Sequence, residues 1–550
     1  MFVRTKTSQT QGKTVVQIVE GIRENKKQRQ RVVEHVGTAS NNSELHKLKD
    51  MARKRIAVLS NNPLAGIEVK LDQDKNASLI RVMNEFELVD IKKFKDSSRV
   101  VDGIEDIFGK VYDESNFRNI IKGSRKDDEF NLILRSIVLS RLAEPCSKRR
   151  TVDLLHREYA TDISLKQVYK MMDYLVRQEQ DVKNLVMANT KHLLEDKVDV
   201  LFFDVTTLYF ESLSQDDLRD FGFSKDCKFK EVQIVLSLVT SLSGLPISYN
   251  LFPGNIYEGH TLFECVKDLK KHYKIQNILL VADRGMFNEN NLELMDKEKI
   301  KYIVGAKLKT LKQLHKDKIL DELTYYKESI CDEDHLVSEF EYKSRRLIVS
   351  YSEKRLKKDA SDRQRLLDRL LKKTKNNKIK IDDLIANYGT KKYLTKSNDL
   401  VEINQEKIEK DARWDGISGV ITNLENKTLK EILERYRNLW QIEEAFRINK
   451  HNLKMRPIYH HKPRRIKAHI SICFLAYSVL KTTEFKLKKN NTPMSIETIR
   501  GELQKVQTSY IESRHDSRKF AVPSIFSNTQ KQIYGCFDVY RREDIYNVKK

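Results

Sequence analysis

One strand-like run with an acidic centre constrains the fold of this chain more than any other stretch. Residues 198–210 read VDVLFFDVTTLYF, an apolar, β-branched and aromatic run of strand length that carries Asp204 in its middle. A carboxylate inside such a strand is costly to bury unless a charge compensates it, and a divalent metal ion is a common compensation. Taken alone, Asp204 is better explained as a strand-end residue that caps a turn. The choice between a metal ligand and a turn cap depends on the other acidic residues.

The segments that follow alternate in a way that predicts an α/β fold. Strand-type runs at Glu231–Val239 and Pro246–Phe252 are joined by a short glycine-containing turn, which predicts an antiparallel hairpin. A helix follows, and then a strand that ends at Asp283, a second helix and a further strand. This is the order of a ribonuclease H-like core, a mixed sheet flanked by helices in which the first and fourth strands are neighbours. We therefore expect Asp204 and Asp283 to share one site.

A ribonuclease H-like nuclease needs a third carboxylate from a late helix, and Leu429–Asn452 is the segment to search. Within it, Tyr436, Glu443 and Lys450 recur every seven residues. Seven residues are nearly two helical turns, so the spacing predicts that the three side chains share one face of a single helix. Such a helix would bring Glu443 to the two aspartates.

The residues around Glu443 allow two interpretations. Trp440 and Phe446 lie three residues on either side of it and would wedge the helix against the core beside a metal site. Alternatively, Glu443 and Arg447 form an i,i+4 ion pair on a solvated helix.

Composition narrows the class of partner. Lysine and arginine number 102 against 79 aspartate and glutamate, a net charge of +23, which points first to nucleic acid. The apolar run Ile470 to Leu480 is too short to cross a membrane and predicts a buried helix. The six cysteines include no Cys-x-x-Cys pair, and the first fourteen residues lack the apolar core of a signal peptide. We expect a cytoplasmic protein without a membrane partner, a disulfide framework or a thiolate zinc site.

Three further segments bear on DNA binding. Ser147–Tyr159 and Ser164–Leu175 predict two short helices with a tight joint, either a helix-turn-helix or an ordinary helical hairpin. Lys354–Lys380 is densely basic and helical in pattern, either a solvated face or a DNA contact. Near residue 460, a zinc site that combines His460, His461 and His469 is rejected, because adjacent residues project in different directions and no cysteine supports it.

Several of these segments together resemble the DDE transposases of bacterial insertion sequences, in the insertion sequence four superfamily with its Tyr-Arg-Glu-Lys signature. Tyr436, Glu443 and Lys450 match the signature spacing, but Leu439 stands at the arginine position. That departure removes one expected DNA contact and leaves open whether Arg437 substitutes. The resemblance runs from about Ser147 to Leu480, and its other segments are DVTT at 204–207, FPGN at 252–255, ADRG at 282–285 and YIVGAKL at 302–308.

The resemblance implies a DNA transposase. Such an enzyme binds terminal inverted repeats, cuts the element ends with metal-activated water and joins the 3′-hydroxyl ends to target DNA. Asp204, Asp283 and Glu443 would be catalytic and would hold two Mg²⁺ ions, with Mn²⁺ as a substitute. The partners implied are double-stranded DNA and, when DNA is bound, a second copy in a homodimer near the bacterial nucleoid. Two alternatives remain: a ribonuclease H-like nuclease without strand transfer, and a DNA-binding relative without catalysis.

The expected DNA contacts combine residues near the three acids with cations of the basic segment. They are Tyr436, Lys450, Arg447, Arg284, Arg456, His460, Lys357, Lys358, Arg365 and Lys372. Arg464 is a further candidate for the DNA backbone.

The predicted divisions of the chain follow from these assignments. They are a small β-containing arm (1–63), a mostly helical DNA-binding region (64–190), the first part of the ribonuclease H-like core (191–309), an insertion (310–415), the last part of the core with the catalytic helix (416–485) and a C-terminal region (486–550).

Overall fold

The computed structural model divides the chain into two compact units. One comprises Met1–Arg99, Gln507–Ile525 and Arg542–Lys550, and the other comprises Val100–Val506 and Phe526–Arg541. The structure describes residues 2–7, 13–24, 27–59, 67–71, 78–82, 87–90, 94–196, 198, 200–210, 214–222, 231–256, 261–273, 279–321, 324–375, 393–397, 400–513 and 518–548.

The first unit is built mainly of antiparallel strands. Its sheets have the orders β1-β2-β3, β4-β5-β6 and β21-β20-β19-β7. The helix α1 packs on the first sheet around Val16, Ile18 and Ala52. The elements are β1 (Phe2–Thr7), β2 (Thr14–Glu24), β3 (Lys27–Ala39), α1 (Asn42–Leu59), β4 (Ile67–Leu71), β5 (Ser78–Val82), β6 (Glu87–Asp90), β7 (Phe94–Val101), β19 (Gln507–Ser513), β20 (Lys519–Pro523) and β21 (Tyr546–Val548).

The strands expected near residues 14–19 and 31–36 lie within β2 and β3, so these two predictions are confirmed. The mostly helical region expected from residue 64 instead begins with the four strands β4 to β7. β4 reads IEVKL, an alternation that could have revealed it, whereas β7 reads FKDSSRVV and carries no such signal.

A helical layer opens the second unit. It contains a π-helical segment (Ile104–Gly109), α2 (Lys110–Glu114), α3 (Asp127–Ala143), α4 (Lys148–Tyr159), α5 (Leu165–Leu175) and α6 (Glu179–Leu193). Ser147 and Ser164 accept backbone hydrogen bonds as the N-caps of α4 and α5, and Ser164 forms a capping box with Gln167. Both predicted helices are therefore confirmed.

The core of the second unit is a nine-stranded sheet with the order β10-β9-β8-β11-β12-β18-β15-β14-β13. Its first five strands are β8 (Val200–Tyr209), β9 (Gln233–Ser241), β10 (Pro246–Pro253), β11 (Leu279–Ala282) and β12 (Lys301–Gly305). The strands β8, β9 and β10 are antiparallel neighbours, whereas β11 is parallel to both β8 and β12. The fold is thus mixed α/β, and the predicted first and fourth strands, β8 and β11, lie side by side.

The sheet continues into the segment expected as an insertion. The strand β18 (Ile417–Thr422) pairs antiparallel with both β12 and β15 (Arg345–Tyr351), and β14 (Glu333–Tyr342) and β13 (Tyr326–Ile330) complete the sheet. The same segment carries α9 (Gln313–Ile319), α10 (Glu353–Lys375), the hairpin β16 (Leu394–Ser397) and β17 (Leu400–Ile403), and α11 (Gln405–Ala412). Residues 376–380 of the predicted basic helix lie outside the described residues.

Side chains alternate between the two faces of the sheet. In β8, Phe202 and Leu208 belong to one core cluster, and Leu201, Phe203 and Val205 belong to another. The helices α7 (Thr261–Tyr273) and α8 (Glu289–Lys297) contribute to the second cluster. The face that Phe202 occupies is the one on which the late helices pack.

The prediction of a single late helix is wrong. Residues 429–452 do not form one helix but α12 (Leu429–Arg437), α13 (Trp440–Arg447) and a π-helical segment (Ile448–Asn452). At the joint, the amide N–H groups of Asn438, Leu439 and Gln441 donate to carbonyls three residues earlier, which tightens the turn.

The remaining helices are α14 (Pro463–Lys489), α15 (Ile496–Lys505) and α16 (Asn528–Cys536). All residues from Ile470 to Leu480 are buried within α14, which confirms the predicted buried helix. In the part of the chain that the structure describes, no helix has the length and apolar character needed to cross a bilayer.

Candidate active site

The two aspartates lie at the same level on neighbouring parallel strands. Ala282 of β11 is in register with Phe203 of β8; the next residue is an aspartate in both cases, Asp204 within β8 and Asp283 directly after the end of β11. Alternation directs both aspartates to the face of the sheet that Phe202 occupies. The structure therefore brings these two residues together on the face covered by the late helices.

Backbone N–H groups hold both carboxylates. The Oδ1 atom of Asp204 accepts a hydrogen bond from the Val205 N–H at 2.7 Å. The Oδ1 atom of Asp283 accepts one from the Gly285 N–H at 2.7 Å and so caps a short 3₁₀ turn, Arg284–Met286. The turn-capping role considered for Asp204 thus belongs to Asp283, since Asp204 lies inside its strand.

Glu443 stands in the first turn of α13 and is exposed. In the described part of the chain its carboxylate takes part in no hydrogen bond or ion pair. The alternative pairing with Arg447 is wrong, because the Arg447 guanidinium donates to Glu444 at 2.5 and 2.6 Å. Arg447 is thereby held on the helix surface, and Glu443 is left available.

The face of α13 that packs on the sheet differs from the expected one. Ile442, Ala445 and Phe446 are buried, whereas Trp440 is 54% exposed. Phe446 therefore packs against the core as predicted, but the wedge role of Trp440 is wrong. Trp440 is the first residue of α13, directly after the tightened joint that follows α12.

Tyr436 at the end of α12 lies close to both Asp283 and Glu443. Its hydroxyl sits so near Gly305, the last residue of β12, that a Cβ atom built on Gly305 would be 2.3 Å from it. Burial, followed by the negative charges of Asp283 and Glu443, raises the pKa of Tyr436 to about 12. The phenol is therefore protonated at neutral pH and can donate a hydrogen bond.

Lys450 reaches the first strand from the π-helical segment. Its Nζ donates to the Thr206 Oγ1 at 2.5 Å. Thr206 is two residues beyond Asp204 and projects from the same face of β8. Although the helix is interrupted, Tyr436, Glu443 and Lys450 all lie around the two aspartates.

A cleft of about 1080 Å³ opens in front of Glu443. It is bordered by α12, α13, the ends of β11 and β12, and α10. Both tryptophans of the chain, Trp414 and Trp440, line it. The cations that line it are Arg284, Lys307, Lys309, Lys354, Arg355, Lys358, Arg363 and Arg437.

The leucine that stands at the arginine position of the Tyr-Arg-Glu-Lys signature lies in this cleft. Leu439 is 8% exposed and lines the cleft. Arg437 donates to the carbonyl of Ile330 at 2.6 Å and to Glu333 at 2.5 Å. Arg437 is thus tied to the turn between β13 and β14, which leaves no cation of α12 at the place of the missing arginine.

The cations predicted on α10 are all exposed, but they do not share one environment. Of Lys357, Lys358, Arg365 and Lys372, only Lys358 lines the cleft. Lys307 and Arg355 line it as well and were missed as candidates. The signal for Lys307 was present, because it belongs to the quoted segment YIVGAKL.

The predicted contacts near residue 460 need correction. His460 is 9% exposed and packs against the rings of Tyr169 and His469, so it cannot reach DNA. Burial, reinforced by nearby Lys148, lowers the pKa of His460 to about 3. Arg464 is ion-paired with Asp173 at 2.9 Å.

Arg456 lies elsewhere, with its guanidinium 5.3 Å from the ring centroid of Tyr209 at the end of β8. This position keeps it near the strand that carries Asp204.

Three carboxylates are oxygen donors of the kind that Mg²⁺ and Mn²⁺ prefer, so the donor chemistry fits a divalent ion. Within the described ranges, however, no three His, Cys, Asp or Glu side chains are already placed to hold one. Asp204 and Asp283 are fixed by backbone hydrogen bonds, whereas Glu443 is unbonded. Glu443 is therefore the ligand that would have to adjust.

Comparisons with known proteins point to one family. A family model described as Transposase DDE domain matches residues 196–479, more than half of the chain, and the match includes all three acids. No curated protein matches the chain. Among solved structures, the cryo-EM structure of a piggyBac transposase synaptic complex with hairpin DNA matches at 10% identity and a TM-score of 0.38, over 73% of this chain and 77% of that chain.

Proposed function

The chain belongs to the transposases with a DDE domain, and on that premise we propose that it cuts DNA at the ends of a mobile element and joins the freed 3′-hydroxyl ends to target DNA. One observation carries the proposal. Asp204 and Asp283 lie at the same level on adjacent parallel strands, and the helix with Glu443 packs over the face to which both aspartates point. The first five strands of the sheet would form a ribonuclease H-like core.

Asp204, Asp283 and Glu443 are the proposed catalytic residues and metal ligands. Two Mg²⁺ ions, or Mn²⁺ in their place, would supply the positive charge that activates the attacking oxygen and stabilises the leaving one. The backbone N–H groups of Val205 and Gly285 fix the orientation of the two aspartates.

Two further side chains would grip the phosphate beside the cut. Tyr436 remains a neutral phenol at working pH, so it donates a hydrogen bond rather than repelling the phosphate. Lys450 offers a compact positive charge that its hydrogen bond to Thr206 holds close to the strand of Asp204. Together they support membership of the Tyr-Arg-Glu-Lys subgroup of bacterial insertion sequences, despite Leu439.

The net charge of +23 supports double-stranded DNA as the partner, with terminal inverted repeats as the specific sites. Holding both element ends at once would require a homodimer on DNA. The proposed backbone contacts are Arg284, Arg447, Arg456, Lys357, Lys358, Arg365 and Lys372.

The test uses DNA taken from either side of the reading frame. A duplex with the flanking inverted repeat is incubated with the purified chain, Mg²⁺ and a supercoiled plasmid, and the products are separated on a denaturing gel and sequenced. We expect cuts at the repeat boundary and covalent joining of its 3′ end to the plasmid. Cutting without joining would leave the nuclease alternative, and binding without cutting would leave the inactive relative.

A further inference from the structure

The cations that line the cleft differ in whether an acid neutralises them. Lys309 is paired with Asp411 at 2.6 Å, and Lys354 with Glu333 at 2.8 Å. Glu333 also holds Arg437.

On α10, Arg363 is paired with Asp415 and Arg355 contacts Asp359 at 3.4 Å. These contacts use most of the acidic residues of the cleft.

Three cations of the cleft have no such acidic partner among the described residues. In the part of the chain that the structure describes, the side chains of Arg284, Lys307 and Lys358 make no hydrogen bond or ion pair. Arg284 and Lys358 are exposed, and Lys307 is half-buried. Positive charges left unneutralised at one surface repel each other, so an arrangement of this kind is stabilised when an anion binds.

The three residues come from separate elements that meet beside the catalytic aspartates. Arg284 follows Asp283 directly, and Lys307 lies two residues beyond the end of β12. Because β11 and β12 are parallel neighbours with Ala282 opposite Val304, Arg284 and Lys307 emerge at the same edge of the sheet. Lys358 faces them from α10 across the cleft.

Lys309 lies within the electrostatic reach of Arg284. Its pKa is lowered chiefly by burial; Asp415 and Asp359 raise it, whereas Arg363 and Arg284 lower it.

We propose that Arg284, Lys307 and Lys358 form a phosphate-binding site that holds the DNA strand between the catalytic aspartates and α10. This site supplies the positive charge that α12 lacks, since Leu439 is apolar and Arg437 is bound to Glu333. The inference rests on the proposed function and adds the residues that position the strand. It also separates Lys358 from Lys357, Arg365 and Lys372, which lie outside the cleft.

The test compares two double variants with the same loss of charge. Lys307→Gln with Lys358→Gln removes two cations of the proposed site. Lys297→Gln with Lys301→Gln is the matched control, because both lysines are exposed and Lys301 begins the same strand, β12, at its opposite end. Fluorescence anisotropy with a labelled flanking-repeat duplex gives the affinity at several salt concentrations, and single-turnover cleavage is measured at saturating DNA.

We expect the slope of log affinity against log salt to shrink by about 1.8 in the Lys307/Lys358 variant, or about 0.9 per lost phosphate contact. Cleavage of bound DNA should fall at least about tenfold, the scale of one lost charged hydrogen bond. The control should keep both the wild-type slope and the wild-type cleavage rate. Equal thermal midpoints for the two variants would show that folding is not the cause.

A second measurement locates the contact. Duplexes that each carry one neutral methylphosphonate, placed at successive positions around the cut, are compared. At least one position should weaken binding by the wild type but make no further difference to the Lys307/Lys358 variant, whereas the phosphate gripped by Tyr436 and Lys450 should affect both proteins equally. If the wild type binds DNA and the two double variants behave alike, the inference is overturned while the proposed function stands. If the wild type shows no salt-dependent DNA binding, both the inference and the proposed function are contradicted.

Discussion

Substituting Gly305 by alanine tests whether the close approach of Tyr436 to β12 shapes the active site. The added Cβ atom would lie 2.3 Å from the Tyr436 hydroxyl and 2.9 Å from the Arg284 backbone nitrogen. Neither distance is compatible with a normal contact, so Tyr436, the strand or both must move. Overpacking of a filled interior typically costs about 1–3 kcal/mol of the free energy of unfolding.

The companion substitution Tyr436→Phe makes the prediction specific. It removes the atom at 2.3 Å and leaves the ring carbon Cζ at 3.2 Å from the new Cβ, while the Arg284 nitrogen stays at 2.9 Å. The double variant should therefore be more stable than the sum of the single effects predicts, with a coupling between about 0.5 and 3 kcal/mol. Urea unfolding of the wild type and the three variants gives the four free energies.

Gly501→Ala is the matched control, and it should change the free energy of unfolding in the opposite direction. Gly501 lies inside α15, and a Cβ atom there meets nothing within 4 Å. Alanine should stabilise that helix by about 0.5–1 kcal/mol. If Gly305→Ala leaves the free energy of unfolding unchanged, or if Tyr436→Phe does not reduce the loss that Gly305→Ala causes, the placement of Tyr436 against β12 is wrong.

Three further predictions follow from charge and burial. Binding to a random-sequence duplex should weaken linearly on a log-log plot against salt with a slope near −0.9 per phosphate contacted, and a flat titration would count against DNA as the partner. Burial lowers the pKa of His460 to about 3 and also lowers the pKa of His469, so both imidazoles stay neutral in the folded protein. In the unfolded chain they bind protons near pH 6.5, and the free energy of unfolding therefore falls as the pH drops below that value. Urea unfolding should show a loss of about 3 kcal/mol between pH 7.5 and 5.5, and no loss would contradict their burial. Arg363→Ala leaves Asp415 unpaired at 9% exposure and should cost about 3–5 kcal/mol by the same assay, whereas an effect below about 0.5 kcal/mol would refute the buried pair.

The first half of the sheet could be predicted from sequence because its signals are local. Strand runs, a capping box and serine N-caps each act within a few residues, and the alternation of strands and helices then limits the topology. The adjacency of Asp204 and Asp283 followed from that order alone, and the register of β8 and β11 agrees with it.

The second half depended on long-range pairing that no local pattern reveals. The strands β13, β14 and β15 join the same sheet only through β18, which comes some 70 residues after β15. The interruption of the late helix at Asn438 and Leu439 was equally hidden, since both residues are compatible with a helix. The exposure of Trp440 and the burial of His460 depend on tertiary packing, and the sequence analysis predicted the opposite for both.

The cleft was also beyond sequence analysis. Which cations are neutralised depends on contacts such as that between Arg437 and Glu333, which lie 104 residues apart in the chain. A charge count gives the excess of positive charge but not its location.

The most direct measurement of the central claim is single-turnover cleavage of flanking-repeat DNA in Mg²⁺ by Asp204→Asn, Asp283→Asn, Glu443→Gln and the control Glu444→Gln. The two asparagines keep the oxygen that accepts the Val205 or Gly285 N–H, so they remove charge without removing the local hydrogen bond. We predict that the first three variants bind DNA like the wild type but do not cut it, while Glu444→Gln cuts at nearly the wild-type rate. Cleavage near the wild-type rate by any of the first three would remove that residue from the catalytic site.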